Sequence, residues 1–303
     1  MQSYAEGHGS QRVPIVTSGA GADPRCDCGF TQEVRRPKGN PLLGCNLRKA
    51  AKLASKALAE TLWPSRCVLC DSPGPVLCQR CKRQLPYIDW LKACPRCGAP
   101  WGALICSECN SFVTHRRMGG EFELDGGVSL LASTPESLAL TVMLKDRNEL
   151  RLADELGALL AGALPSTLLA GVPPACQARK STEAWPVEAV TWVPARPDAL
   201  RRRGFDHAQL LAQACAQSLG LPATDLLQAR KARDQRKLTA AQRAQNMQKA
   251  FFANATMTNA CLPKSVLLID DVYTTGATLM GAATALRHAG VKRVIGATAL
   301  RVL

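Results

Sequence analysis

The fold is decided by the segment Val266-Leu-Leu-Ile-Asp-Asp-Val-Tyr-Thr-Thr-Gly-Ala-Thr278. Its leading aliphatic residues predict a buried strand, Ser265–Ile269, of a parallel sheet. Asp270 and Asp271 follow at the carboxyl end of this strand, where open α/β sheets bind their ligands. Thr274–Thr278 form a small-residue loop that leads into a helix, and a helix amino terminus favours a phosphate dianion. The segment therefore predicts a site for a phosphorylated ligand with hydroxyl groups beside its phosphate.

This segment has two other interpretations. A nucleotide-binding P-loop would need the pattern G-x-x-x-x-G-K-[ST], which the sequence lacks. The plainer alternative is a strand that ends in two acids and is followed by an ordinary capped helix.

The chain around this segment predicts an α/β fold. Aliphatic strands are expected over 187–193 and 293–300, and two short strands within 116–132 around the turn Asp125-Gly126-Gly127. Helices are expected over 135–145, 150–164, 208–219 and 278–289, and residues 165–186 form a Pro-rich connector. Strands that alternate with helices indicate a parallel sheet covered on both faces.

Eight cysteines in four C-x-x-C pairs lie upstream of the α/β region: Cys67/Cys70, Cys78/Cys81, Cys94/Cys97 and Cys106/Cys109. Two such pairs complete a tetrahedral thiolate set, so the spacing predicts two structural Zn²⁺ ions in a double zinc ribbon. Sequential pairing is favoured over a cross-braced order. An iron–sulfur cluster, a redox dithiol and disulfides are the alternatives.

The remaining sulfur and imidazole groups form no pattern that indicates a site. Six cysteines lack C-x-x-C spacing and are interpreted as ordinary thiols: Cys26, Cys28, Cys45, Cys176, Cys215 and Cys261. No ligand or catalytic role is assigned to His8, His115, His207 or His288.

The chain has 303 residues and a formal charge of +14, from 38 basic and 24 acidic side chains. Half of this excess falls in residues 194–249, which suits a phosphorylated partner, although a basic solvated surface explains it equally well. Neither an uninterrupted apolar span nor a secretory pattern is found, so a cytoplasmic location is expected. Residues 1–45 are expected to be disordered or to follow from an upstream start codon, and 46–64 to form an amphipathic helix.

The segment Val266–Thr278 resembles the 5-phosphoribosyl pyrophosphate (PRPP) motif of type I phosphoribosyltransferases at nearly every position. Tyr273 is the one departure, since an aliphatic residue is commoner there. The resemblance implies that Asp270 and Asp271 hold the ribose hydroxyls and act in catalysis. It also implies that the loop grips the 5′-phosphate through Thr274, Thr275, Gly276, Ala277 and Thr278.

A second resemblance, over about residues 62–303, is to the ComF family, whose members have a double zinc ribbon before a phosphoribosyltransferase-type domain. It rests on the four cysteine pairs, Leu144-Lys145, Val193-Pro194, Arg201-Arg202-Arg203-Gly204-Phe205-Asp206-His207-Ala208, Leu211-Ala212, Gln235, Leu238, Arg243, Asn246 and Ala250-Phe251. Asp206 stands where the family often has Asn, which would place an acid near an anionic ligand.

These resemblances imply a zinc-ribbon module over 65–114 and a phosphoribosyltransferase-type domain over 115–303. Mg²⁺ is expected to bind with PRPP, and further PRPP contacts are expected from Lys145, Arg196, Arg201, Arg202 and Arg203. Residues 230–249 would close over the ligand as a mobile lid. The sequence does not identify an acceptor base.

The sequence is therefore consistent with three functions. The first is a Mg²⁺-dependent phosphoribosyltransferase of unknown acceptor. The second is a non-catalytic PRPP- or nucleotide-responsive module of natural transformation, which would meet single-stranded DNA and competence or DNA-processing proteins. The third is a purely structural zinc scaffold.

Overall fold

The computed structural model describes residues 65–110, 112–114, 121–170, 186–230, 250–254 and 262–303. Several predictions concern residues outside these ranges: the extension over 1–45, the helix over 46–64, residues 171–185 of the connector and residues 231–249 of the expected lid. Residues Leu58–Leu303 belong to one compact unit.

The centre of this unit is a four-stranded parallel sheet with the strand order β1-β6-β5-β2. Its strands are β1 (Gly126–Ala132), β2 (Ala189–Trp192), β5 (Ser265–Tyr273) and β6 (Arg293–Arg301). The two central strands, β5 and β6, are almost entirely buried. A parallel sheet buried on both faces explains why these strands are aliphatic runs without polar alternation.

The described residues contain α-helices of 4 to 13 residues. They are α1 (Gln79–Gln84), α2 (Pro135–Lys145), α3 (Arg151–Ala163), α4 (Ser166–Leu169), α5 (Pro197–Arg203), α6 (His207–Leu219) and α7 (Ala277–Ala289). The predicted parallel sheet flanked by helices is confirmed, and the longer helices start and end within one residue of the expected positions. None of the described helices has the length and apolar character needed to cross a bilayer.

Successive side chains of β5 lie on opposite faces of the sheet and pack in two separate hydrophobic cores. Leu267 and Ile269 pack in the core that contains α3 and α6, whereas Val266 and Leu268 pack in the core that contains α7. The period of two residues in a strand places neighbours on opposite faces. Each face of the sheet is therefore closed by its own helices.

The prediction of two short strands around Asp125-Gly126-Gly127 is wrong. The glycines instead begin β1, where they pair with β6. A side chain at Gly127 would overlap the Arg96 carbonyl, so this glycine is needed for close approach of a second backbone rather than for a turn.

Helix α5 and a small antiparallel pair were not predicted. The pair consists of β3 (Leu227–Ala229) and β4 (Phe251–Ala253). These elements have seven residues or fewer, which is too short for hydrophobic periodicity to identify them.

Candidate functional site

The two acids lie inside β5 rather than after it. Strand β5 was expected to end at Ile269, but it runs on to Tyr273 because Asp270 and Tyr273 stay paired with Thr298 and Arg301 of β6. Asp270 and Asp271 are 8% and 7% exposed. Both carboxyl groups are thus held at the carboxyl edge of the sheet, the edge at which its parallel strands end.

Asp271 is the meeting point of three elements. Lys145, the last residue of α2, forms an ion pair with its Oδ2 atom. His207, the first residue of α6, places Nε2 at 2.6 Å from the same oxygen. Since a carboxylate only accepts hydrogen bonds, Nε2 carries the hydrogen in this contact.

The two acids differ in protonation. Burial, followed by the charge of Asp271, raises the pKa of Asp270 well above its usual value. Burial also acts to raise the pKa of Asp271, but the hydrogen bond and charge of His207, together with Lys145, outweigh it and hold that pKa at about 2. Like charges this close do not both ionise readily, so near neutral pH Asp271 is the ionised member of the pair.

The phosphate loop, Thr274–Thr278, follows directly. Thr274 and Thr275 are exposed, and Gly276 precedes α7 in the left-handed conformation with φ of 78°. The N-cap residue of this 13-residue helix, Gly276, offers no capping side chain, and the N–H of Ala277 donates to Oγ1 of Thr275 at 3.4 Å. A helix amino terminus of this kind can bind an anion.

Tyr273 lies directly under the loop. A Cβ atom at Gly276 would overlap the hydroxyl group and ring of Tyr273. Glycine is needed here for two reasons, the positive φ and the close approach of the tyrosine ring.

Asp206 has a structural role that the sequence did not predict. Its Oδ1 caps α6 by accepting from the N–H groups of Ala208 and Gln209, at 3.0 and 3.3 Å. Its Oδ2 accepts from the N–H of Ala195 at 2.7 Å. Asp206 therefore accepts from three backbone donors, and the expectation that it places an acid near an anionic ligand stays a prediction.

The arginines expected to bind pyrophosphate lie on or beside α5, in the segment after β2. Arg201, Arg202 and Arg203 form its last turn, where cations are favourable to the helix dipole in any case. Arg201 pairs with Asp198 on the same helix, and Arg196 is exposed at the amino-terminal cap. The bond from Ala195 to Asp206 ties this segment to the start of α6, beside His207.

The cysteines form two groups of four, in the sequential order that the spacing favoured. One group is Cys67, Cys70, Cys78 and Cys81, and the other is Cys94, Cys97, Cys106 and Cys109. Within each group all Sγ atoms lie within 4.8 Å of one another. We call residues 67–81 the first ribbon and residues 94–109 the second ribbon.

The geometry of both groups fits zinc. The Sγ atoms of Cys70 and Cys78 are 3.7 Å apart, as are those of Cys97 and Cys106. A tetrahedron with Zn–S distances of about 2.3 Å has edges of roughly 3.8 Å. Backbone N–H groups also donate to Cys67 and Cys94, at 3.4 and 3.3 Å, which favours thiolates.

Comparison with known proteins matches two parts of the chain to family models. Residues 206–302 match the phosphoribosyl transferase domain, and residues 58–111 match the double zinc ribbon domain. The competence protein ComFC of Streptococcus pneumoniae is 35% identical over 102 residues, and competence protein F of Haemophilus influenzae is 35% identical over 109 residues.

These matches show that the chain is similar to ComF proteins. The matched residues make up 34% and 35% of this chain and 43% and 47% of the two relatives, so the chain spans less than half the length of the curated ComF proteins it matches.

Two solved structures are similar at a lower level. They are glutamine PRPP amidotransferase from B. subtilis, complexed with ADP and GMP, and the allosteric regulatory enzyme of purine biosynthesis. Their identities are 20% and 19%, and their TM-scores are 0.30 and 0.29. Each match covers 48% of this chain and 25% of the other, and such scores support no further structural conclusion.

The structure thus places Lys145, which was expected to contact PRPP, against Asp271. It also adds His207, which was assigned no role. No spacing rule singles out this histidine, because its part depends on α6 beginning beside the carboxyl end of β5. The one available signal was its place next to the helix-capping Asp206 in the Arg-Gly-Phe block.

Proposed function

We propose that this ComF-like protein binds PRPP with Mg²⁺ at the carboxyl edge of the sheet and transfers its phosphoribosyl group to an acceptor. The observation that carries the proposal is the direct succession of two buried acids, a glycine-dependent loop and a helix amino terminus whose N-cap residue, Gly276, has no side chain. The phosphoribosyl transferase model covers the same residues.

The ribose would be held by the acids. Lys145 and His207 both contact Oδ2 of Asp271, so Oδ1 is available for a ribose hydroxyl. Asp270 would accept a hydrogen bond from the neighbouring hydroxyl. The two acids therefore suit a vicinal diol better than either would alone.

The 5′-phosphate would be held by the loop. Thr274, Thr275 and Thr278 offer hydroxyl donors, and Gly276 and Ala277 bring backbone N–H groups toward the ligand. The helix dipole of α7 adds a favourable potential that is largest within its first turn.

Departure of pyrophosphate requires cations near the leaving oxygens. We propose that the cations for this step come from Arg196, Arg201, Arg202 and Arg203. Lys145 would join them by exchanging its partner Asp271 for a phosphate oxygen. Mg²⁺, when bound, would neutralise charge between pyrophosphate and ribose oxygens. Asp270 and Asp271 would face it, and their carboxylate oxygens are the donors it prefers.

We propose that both ribbons bind zinc through their four thiolates and that these ions are structural. A site with four cysteine ligands has no open coordination position for a substrate. A reducing cytoplasm, our proposed location, would keep these thiols available to the metal.

A second candidate function rests on the names of the relatives, both of which are competence proteins. In this version PRPP or a nucleotide is sensed rather than turned over, and the basic residues within 194–249 meet the backbone of single-stranded DNA during DNA uptake. Pyrophosphate release from PRPP in the presence of candidate bases separates the two, because only a transferase produces it.

The site itself is tested by thermal unfolding with and without PRPP and Mg²⁺. Wild type should be stabilised, because a ligand that binds only the folded state raises its stability. Asp271→Asn should lose this shift. Asp125→Asn is the matched control. Like Asp271, Asp125 is a largely buried acid with a basic partner, in this case Arg287, but it lies at the opposite edge of the sheet. A shift retained by Asp271→Asn would contradict the proposed site.

A further inference from the structure

Arg301 is the most deeply buried charged side chain among the described residues that have no place in the proposed site. It is 1% exposed, ends β6, and lies beside Tyr273 in the sheet register. A buried guanidinium is costly unless it is well paired, so its contacts indicate what it does.

One half of the guanidinium holds the phosphate loop. Nη1 donates to the carbonyl oxygen of Thr274 at 2.6 Å and to that of Tyr273 at 3.4 Å. In a trans peptide the C=O and the following N–H point in opposite directions. Because Arg301 fixes the Thr274 carbonyl, it also turns the N–H of Thr275 away from itself, toward the open side of the loop.

The other half holds the second ribbon. Nη2 donates to Oε2 of Glu108 at 2.9 Å and lies 4.0 Å from Sγ of Cys97. Glu108 lies between two cysteines of this ribbon, Cys106 and Cys109. A zinc ion with four thiolates carries a net charge of about −2, so a cation beside it is electrostatically favourable.

Two aromatic rings complete the surroundings of Arg301. Its Cζ is 4.2 Å from the ring centroid of Tyr273 and 5.5 Å from that of Trp101, a residue of the second ribbon. Guanidinium groups are favourable over such faces. Tyr273, the one departure from the phosphate-site motif, therefore provides a surface for Arg301.

Among the described residues, no contact of the first ribbon with the phosphate loop is found. Its cysteines Cys67 and Cys81 pack in the core that contains α3 and α6, and Lys82 beside them pairs with Glu155 of α3 at 2.5 Å. The second ribbon packs in the core that contains α7 and Tyr273.

We propose that Arg301 is a positioning residue that makes the affinity of the phosphate loop depend on the second ribbon. Through Glu108 and Cys97 it is held by the folded, metal-bound ribbon, and through Thr274 it holds the loop in its anion-binding conformation. The proposal rests on the proposed function, since it names what shapes the 5′-phosphate site.

The test is calorimetric titration of ribose 5-phosphate, which probes the loop without the pyrophosphate group. Arg301→Met should weaken binding about tenfold to a hundredfold, the size expected when a charge-assisted hydrogen bond is removed. The matched control is Arg293→Met. Arg293 lies at the opposite end of the same strand, is 7% exposed and donates to the Leu168 carbonyl at 2.7 Å, so its loss should lower stability and leave affinity unchanged.

Two further variants separate positioning from general destabilisation. Arg301→Lys keeps the charge but cannot bridge Thr274 and Glu108 with one planar group, so intermediate affinity is expected. Glu108→Gln should weaken binding in wild type and add little in Arg301→Met, because the two changes break one connection. Cys70→Ser, in the first ribbon, should lose zinc and keep affinity.

The outcomes are distinct. Wild type that binds neither PRPP nor ribose 5-phosphate would contradict the proposed function. Wild type that binds, with Arg301→Met binding equally well at unchanged zinc content, would overturn the positioning role alone. Equal losses in Arg301→Met and Arg293→Met, or in Cys70→Ser, would show an unspecific effect of stability and would also overturn it.

Discussion

At the residue scale, the site depends on the unequal environments of two adjacent acids. Asp271 has Lys145 and His207 as partners, whereas Asp270 is buried and accepts from the N–H of Asp271 at 2.9 Å. The charge that the pair carries in the free protein therefore resides on Asp271.

Asp270→Asn should therefore stabilise the free protein while it weakens PRPP binding. The folded pKa of Asp270 is raised above its unfolded value, so the folded state binds the extra proton and wild-type stability falls as pH rises above about 4. The variant lacks this loss. The gain in unfolding free energy of the variant over wild type should be smallest near pH 4 and should grow as pH rises toward 7.

Denaturant unfolding of both proteins across this pH range measures the difference. A difference in unfolding free energy between Asp270→Asn and wild type that stays constant with pH would contradict the assignment of the raised pKa to Asp270.

Gly276 and Tyr273 give a second test at this scale. Gly276→Ala should cost about 1 kcal/mol for the positive φ, and more for the overlap with the tyrosine ring. Gly276→Ala should cost less in a Tyr273→Leu background than in wild type, because the overlap part disappears and the φ part remains. Equal costs of Gly276→Ala in the two backgrounds would show that the ring is not the obstacle.

At the element scale, the sequence predicted the strand–loop–helix unit because each of its parts has a local signal. The aliphatic run marks β5, the small residues mark the loop, and apolar periodicity marks α7. The end of β5 was missed because Asp270 and Asp271 are poor strand formers on their own. Their pairing with β6 is a tertiary effect that no local pattern carries.

Helix α6 depends on Asp206 in a way that can be measured. Asp206→Ala removes the cap and the bond to Ala195, and should cost about 1–2 kcal/mol in unfolding free energy. Because His207 begins this helix, the same variant should also weaken PRPP binding. Asp206→Asn keeps a capping oxygen and should retain most of the stability, and a full loss in both variants would argue against the cap.

At the scale of the whole molecule, the zinc ribbons and the sheet form one unit, which the linear motifs could not show. The cysteine spacing predicted two metal sites and favoured their sequential order, because ligand spacing is local information. The spacing could not show that the backbone at Arg96 lies close against Gly127 of β1. Nor could it show that Arg301 joins the second ribbon to the phosphate loop. Such contacts depend on residues up to 204 positions apart.

Metal removal tests how much the zinc ions stabilise the whole molecule. Elemental analysis should give two zinc ions per chain, and a strong chelator should lower the unfolding temperature markedly, because segments with so little aliphatic core take their folding energy from the metal. More iron than zinc, or an unfolding temperature indifferent to the chelator, would contradict the zinc assignment.

The central claim, that PRPP binds at the acids and the phosphate loop, is tested most directly by calorimetric titration of the wild-type protein with PRPP in the presence and absence of Mg²⁺. We predict saturable binding at one site, tighter with Mg²⁺ and lost in Asp271→Asn but not in Asp125→Asn. The absence of heat from PRPP binding to folded, zinc-loaded wild type under both conditions would contradict the account.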